Sequence, residues 1–108
     1  MDEREFMAEA DAELARIESA LETASASSDA GFDFETKPGG VIEIEFDNGS
    51  KIIVNRHGAA REIWVAAKSG GYHFRPEGGR WLGTRDGEEL LTALSRTLSE
   101  QAGARIEL

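Results

Sequence analysis

The sequence predicts an α+β fold, a two-layer sandwich in which an N-terminal and a C-terminal helix pack on one face of an antiparallel β-sheet. Three observations carry this. An amphipathic helical stripe stands at each end of the chain, and short runs of alternating apolar and polar residues lie between them. The connections between those runs have hairpin length, which demands antiparallel pairing. Two helices can cover only one face of such a sheet, so the other face is left open.

Residues 3 to 23 read as the first helix. Phe6, Ala10, Leu14, Ile17 and Leu21 recur at spacings of four, four, three and four, which puts them on one stripe. Asp11, Glu18 and Glu22 lie one position beyond core residues, about 100° to one side, and Glu9 and Glu13 lie one position before, about 100° to the other. Asp2, Glu3 and Glu5 complement the positive end of the helix dipole. Residues 25 to 31 are small and polar and read as a loop.

In FDFET, Phe32 and Phe34 alternate with outward Asp33 and Glu35, the pattern of a half-buried strand, and Pro38, Gly39 and Gly40 break it. VIEIEF turns Ile42, Ile44 and Phe46 inward and Glu43 and Glu45 outward. Asn48-Gly49 then signals a hairpin with a type I′ turn, whose two central residues need positive φ, and KIIVNR returns. A loop at Gly58 to Ala60 leads to EIWVAAK, the Ser69-Gly70-Gly71 turn leads to YHF, and RPEGGR leads to a last short strand at Trp81. Asp86, with Glu89 three residues on, reads as a capping box that opens the second helix. Leu90, Leu91, Leu94 and Leu98 form its stripe, Gly103 stops it, and Ile106 and Leu108 pack the tail back onto the body.

Within EIWVAAK, inward Ile63, Val65 and Ala67 turn Trp64, Ala66 and Lys68 the other way. Trp64 therefore belongs to the open face, with Glu43, Glu45 and Lys68 as its expected neighbours. Either a neighbouring loop or the stems of Arg56 or Lys68 cover it, or a partner does, because exposed tryptophan beside arginine is the composition of binding hot spots. Trp81 reads as a core or rim residue.

The 108 residues show no composition break, so positions 1-108 form one domain. Twelve basic against twenty-one acidic residues give a net charge of -9, which repels phosphate backbones and excludes nucleic acid and anionic membranes as partners. Metal cations and basic protein surfaces are favoured instead. There is no cysteine, hence no disulfide, no thiolate nucleophile and no thiolate-held metal or cluster; iron, if bound, is held by oxygen. No apolar run approaches the roughly 20 residues of a membrane span, and MDEREF is acidic where a signal peptide is basic, so a cytoplasmic location is expected.

Catalytic motifs are missing: no GxSxG, no phosphate-cradling loop, no nucleotide fingerprint, and no carboxylate in an apolar context. The chain is not expected to be an enzyme. His57 and His73 lack metal-ligand spacing, and each reads as structural or solvent-facing. The acidic residues have a plain reading as a solvated face. Position argues for more: Asp11, Glu18 and Glu22 on one helix edge, followed by Asp33 and Glu35 on the first strand, can merge into one ridge that attracts hard, oxygen-loving cations weakly.

The stretch FDNGSKIIVNR, followed by EIWVAAKSGGYHF, Trp81 and DGEELLTALSRTL, closely resembles the bacterial frataxin family, known as CyaY-like, and the similarity runs from Phe6 into the tail. The resemblance implies an iron-binding protein of iron-sulfur cluster assembly. It implies ferrous or ferric iron held weakly at the acidic ridge, and two protein partners, a cysteine desulfurase with a basic patch and the scaffold on which clusters are built. Glu18 and Glu22 of the ridge would meet the desulfurase, and Trp64, Asn55 and Arg56 the scaffold. Late in the first helix this chain has Ser19, Thr23, Ala24 and Ser25 where relatives often carry acids, and Met7 where some carry histidine. The implied metal ligands are accordingly Asp11, Glu18 and Glu22 together with Asp29, Asp33 and Glu35. The expectation is a monomeric regulator, acting as iron sensor or iron donor. The competing expectation is a ferroxidase and iron store that forms metal-driven oligomers.

Overall fold

The computed structural model describes residues 1–26 and 29–108. Its elements run α1 (Glu3–Ser25), β1 (Phe32–Lys37), β2 (Val41–Phe46), β3 (Lys51–His57), β4 (Glu62–Ala67), β5 (Gly70–Glu77), β6 (Arg80–Gly83) and α2 (Leu90–Ala102). The sheet order is β1-β2-β3-β4-β5-β6, antiparallel throughout. Such a meander is what short connections enforce, since each strand meets its successor before any other partner.

Asp2 caps α1 by accepting from the backbone N–H of Glu5 at 2.8 Å. The expected stripe is the buried one: Phe6, Ala10, Leu14, Ile17 and Leu21 all face the core. The flanks differ, however. Glu13 is buried and pairs with Arg16 at 2.7 Å, because its side of the helix lies toward the far end of the sheet, where Glu9 and Arg16 share a depression with Pro76, Arg80 and Trp81. The flank with Asp11, Glu18 and Glu22 stays exposed beside edge strand β1. Of the loop expected over 25 to 31, Ser25 belongs to α1, and residues 27 and 28 lie outside the described residues.

Opposite α1 and α2, the inward strand residues Phe32, Ile42, Ile44, Phe46, Ile52, Val54, Ile63, Val65, Phe74 and Trp81 form one core with Leu90, Ala93, Leu94 and Leu98. Fully burying one such large side chain contributes about 1.5–3 kcal/mol. Trp81 is core, its ring set edge-on to Phe6 at 5.9 Å.

Two local expectations are corrected. The β2–β3 hairpin forms, but only Gly49 (φ 87) is left-handed; Asn48 is not. Gly49 N–H donates to Phe46 O and Phe46 N–H to Ser50 O, which makes a three-residue loop closed by a left-handed glycine rather than a type I′ turn. The Asn48 side chain explains the choice: Oδ1 accepts from Ser50 N–H at 2.9 Å while Nδ2 donates to Gln101 O at 2.8 Å, tying the hairpin to α2. The second correction concerns the start of α2, which has Glu89 at its N-cap with no side-chain cap. Glu89 is held in extended conformation by a bridge to Leu82, so the helix cannot begin earlier. Asp86 instead accepts from Glu88 N–H at 3.0 Å and caps the preceding turn.

At the other end, Gly103 (φ 70) closes α2 with a bond to Ser99 O. The tail then folds back as expected: Ile106 N–H donates to Ser99 Oγ at 2.9 Å and Leu108 N–H to Ser95 Oγ at 3.0 Å, and both side chains pack against the core.

Candidate functional site: an acidic ridge and an open sheet face

Helix α1 beside edge strand β1 brings the expected acids onto the two sides of one edge. Asp11, Glu18 and Glu22 are exposed on the helix side; Asp33 and Glu35 point from β1 to the open side; Asp29 precedes the strand and is exposed. Register adds two acids that were read only as outward: Asp33 stands opposite Glu45, and Glu35 opposite Glu43. Like charges in directly opposed pairs repel. Here lysine relieves the repulsion. Glu43 accepts from Lys37 Nζ at 2.5 Å and from Lys51 Nζ at 2.8 Å. These two hydrogen bonds, that from Lys37 foremost, lower its carboxyl to about 2 and raise both lysines. A depression of about 280 Å³ lined by Asp33, Phe34, Glu35, Glu43 and Glu45 results.

The helix side is also partly neutralised. The Arg56 guanidinium pairs with Asp11, its stem packed over Gly40. Glu18 lines a groove of about 180 Å³ with Asp11, Lys37 and Val41. Among the described residues no group of three histidine, aspartate or glutamate side chains converges to hold a metal ion. The ridge is therefore a distributed negative field with oxygen donors at its surface, suited to weak, partly hydrated cations and to basic surfaces.

The open face is built differently. Register aligns Asn55, Trp64 and His73 in one row, with His57 and Glu62 paired in the next and Arg75 beside them on β5. The neighbours of Trp64 are thus not Glu43, Glu45 and Lys68: Glu43 pairs with Ile53, and Lys68 lies in the turn after β4. Nor do the stems of Arg56 or Lys68 cover the indole. It stacks between two imidazoles, His57 at 3.9 Å and 14° and His73 at 4.4 Å and 10°. Trp64 is half-buried in that sandwich, its Nε1–H donating to Glu62 Oε1 at 2.7 Å. Glu62 is buried and also accepts from Arg75 Nε at 2.9 Å. Burial opposes its ionisation, but the bonds from Trp64 and Arg75 and the charge of Arg75 outweigh that and keep the carboxyl below the usual range.

Alternation separates two residues that the sequence set together. Asn55 faces the open side, whereas Arg56, paired with inward Ile63, projects to the helix side and reaches Asp11. His57, His73, Glu62 and Arg75 were missed as a cluster; same-side alternation on three strands was the available signal, but the strand register that joins them was not.

The family model described as "Frataxin-like domain" matches residues 1–104. The chain is 56% identical to the iron-sulfur cluster assembly protein CyaY of Dechloromonas aromatica over 108 residues, covering 100% of this chain and 99% of that one. Among solved structures, the frataxin from Psychromonas ingrahamii, of the CyaY protein family, superposes with a TM-score of 0.86 at 29% identity, covering 99% of this chain and 97% of that one. The trimeric frataxin from the yeast Saccharomyces cerevisiae, complexed with ferrous iron, superposes with a TM-score of 0.73 at 29% identity over 87% of this chain and 84% of that one. With two helices on a six-stranded antiparallel sheet among the described residues and a family model spanning nearly its whole length, this chain belongs to the frataxin family.

Proposed function

We propose that this chain is an iron-binding regulator of iron-sulfur cluster assembly that docks on a cysteine desulfurase through its acidic ridge and on the cluster scaffold through its open face. The observation that carries the reading is the division of the surface. A ridge of exposed carboxylates surrounds β1, and a separate ring stack centred on Trp64 lies on a sheet face that no helix covers. Iron is the cargo of the ridge, met by Asp11, Glu18, Glu22, Asp29, Asp33 and Glu35 as surface oxygen donors, with waters completing its shell. The same negative field speeds encounter with a basic desulfurase patch. The absence of cysteine suits a protein that neither holds a cluster nor diverts persulfide sulfur. The cytoplasm is the matching compartment.

A second reading, a ferroxidase and iron store working through metal-driven oligomers, is favoured by one observation, the trimeric yeast relative with ferrous iron. Against it stands the outward, dispersed arrangement of the carboxylates; oxidation chemistry calls for a convergent site.

The two readings part in one assay. Stoichiometric chain added to desulfurase, scaffold, iron and cysteine is expected to change the rate of cluster formation. An unchanged rate, with catalytic oxygen consumption over many ferrous equivalents, would instead establish the ferroxidase.

A further inference from the structure

We propose that Glu62 is the positioning residue of the open face: its buried carboxylate, at the edge of the ring stack, fixes the Trp64 indole so that the docking surface exists before the partner arrives. The inference rests on the reading that the scaffold meets this face.

Glu62 lies on the side of the sheet that has no second layer, yet it is only 6% exposed. The side chains it organises accompany that burial. Oε1 accepts from Trp64 Nε1–H at 2.7 Å and lies 3.3 Å from His73 Nδ1, while Oε2 accepts from Arg75 Nε at 2.9 Å. One carboxylate on β4 therefore engages its own strand and β5. A tryptophan on a sheet face otherwise has several staggered rotamers open to it. A hydrogen bond at one indole edge, with an imidazole against each ring face, leaves one. Ordering the rings in the free protein removes that entropy cost from binding.

The cluster does not suit an ion. The two imidazoles lie on opposite faces of the indole, so they cannot share a metal, and no trio of ligands forms among the described residues. Nor is the carboxylate spent on catalysis, since it is closed from solvent by its own donors. Its remaining role is to hold the rings in place. Arg75, with its side chain 67% exposed, keeps one side of its guanidinium for a partner.

The test titrates full-length chain with purified scaffold protein and reads the indole N–H resonances of Trp64 and Trp81 in the same samples. Trp64→Ala is expected to weaken binding tenfold or more, and Glu62→Ala roughly tenfold, the loss typical of a bond to a charged group. Glu62→Gln keeps an oxygen for the indole and should bind within about threefold of the parent. In the free protein Glu62→Ala should shift and broaden the Trp64 resonance and leave that of Trp81 in place. If Glu62→Ala binds like the parent while Trp64→Ala does not, or if the Trp64 resonance stays put, the positioning role is wrong and the docking reading survives. If Trp64→Ala binds like the parent, the docking reading falls and this role with it. Should Glu62→Ala not fold, Glu62→Asp decides: withdrawn by one methylene, its carboxylate loses the indole, so parent-like binding would overturn the proposal.

Discussion

Glu43 illustrates how little an outward acid's pattern reveals about its state. Two lysines clamp it, and its carboxyl sits at about 2 instead of the ordinary 4.5. A folded value below the unfolded one stabilises the fold fully above the unfolded value, and the contribution fades as pH falls from about 4.5 through about 2. Glu43→Gln should therefore lower the urea midpoint at pH 7, and its difference from the parent should close as pH falls through that window. A difference that stays constant down to pH 2 would show that the clamp does not act through ionisation. Asp11 carries a related lesson. It is exposed and acidic, but Arg56 has already answered part of its charge, so it contributes less to the ridge than its position suggests.

At the scale of elements, a buried amide at the end of α2 adds polar ties to the sheet beyond the packing of its leucines. Gln101 Oε1 accepts from Lys68 N–H at 2.8 Å, and Nε2 donates to Ser50 Oγ at 3.0 Å and to Lys51 O at 3.2 Å. One side chain thus pins the β2–β3 and β4–β5 hairpins to the end of the helix. Gln101→Ala should cost about 1–2 kcal/mol in urea unfolding, because the part-buried N–H of Lys68 and carbonyl of Lys51 lose their partner; a loss below about 0.5 kcal/mol would mean that water replaces the amide. Gln101 also marks where sequence reading stops. The stripe of α2 was legible in its leucines, but a glutamine in that stripe gives no sign of the two turns it will meet. Likewise α1, the strands and the hairpins followed from period and turn residues, because those signals are local. The start of α2 did not, since Glu89 is held by a bridge to Leu82 formed only in the folded sheet. The ring stack escaped notice for the same reason: His57, Trp64 and His73 become neighbours through the register of three strands. The ridge was more legible, its acids being close in sequence to one edge, but the lysine clamp on Glu43 and the arginine on Asp11 were not.

For the whole molecule, the decisive property is that two unlike surfaces share a small body with a radius of gyration of 13.2 Å. The net charge of -9 sets up a negative field whose range depends on salt, about 10 Å at 0.1 M. The ring stack acts only on contact. Desulfurase binding should consequently weaken steeply with ionic strength, and scaffold binding at the open face much less. The most direct measurement is residue-resolved NMR of the chain during separate titrations with desulfurase and scaffold. Two surfaces require that desulfurase move the amides around Asp11, Glu18, Glu22, Asp33 and Glu35, and that scaffold move those of Asn55, Trp64 and His73. If both partners perturb one common set of residues, or if scaffold leaves the Trp64 row unmoved, the division of labour is contradicted.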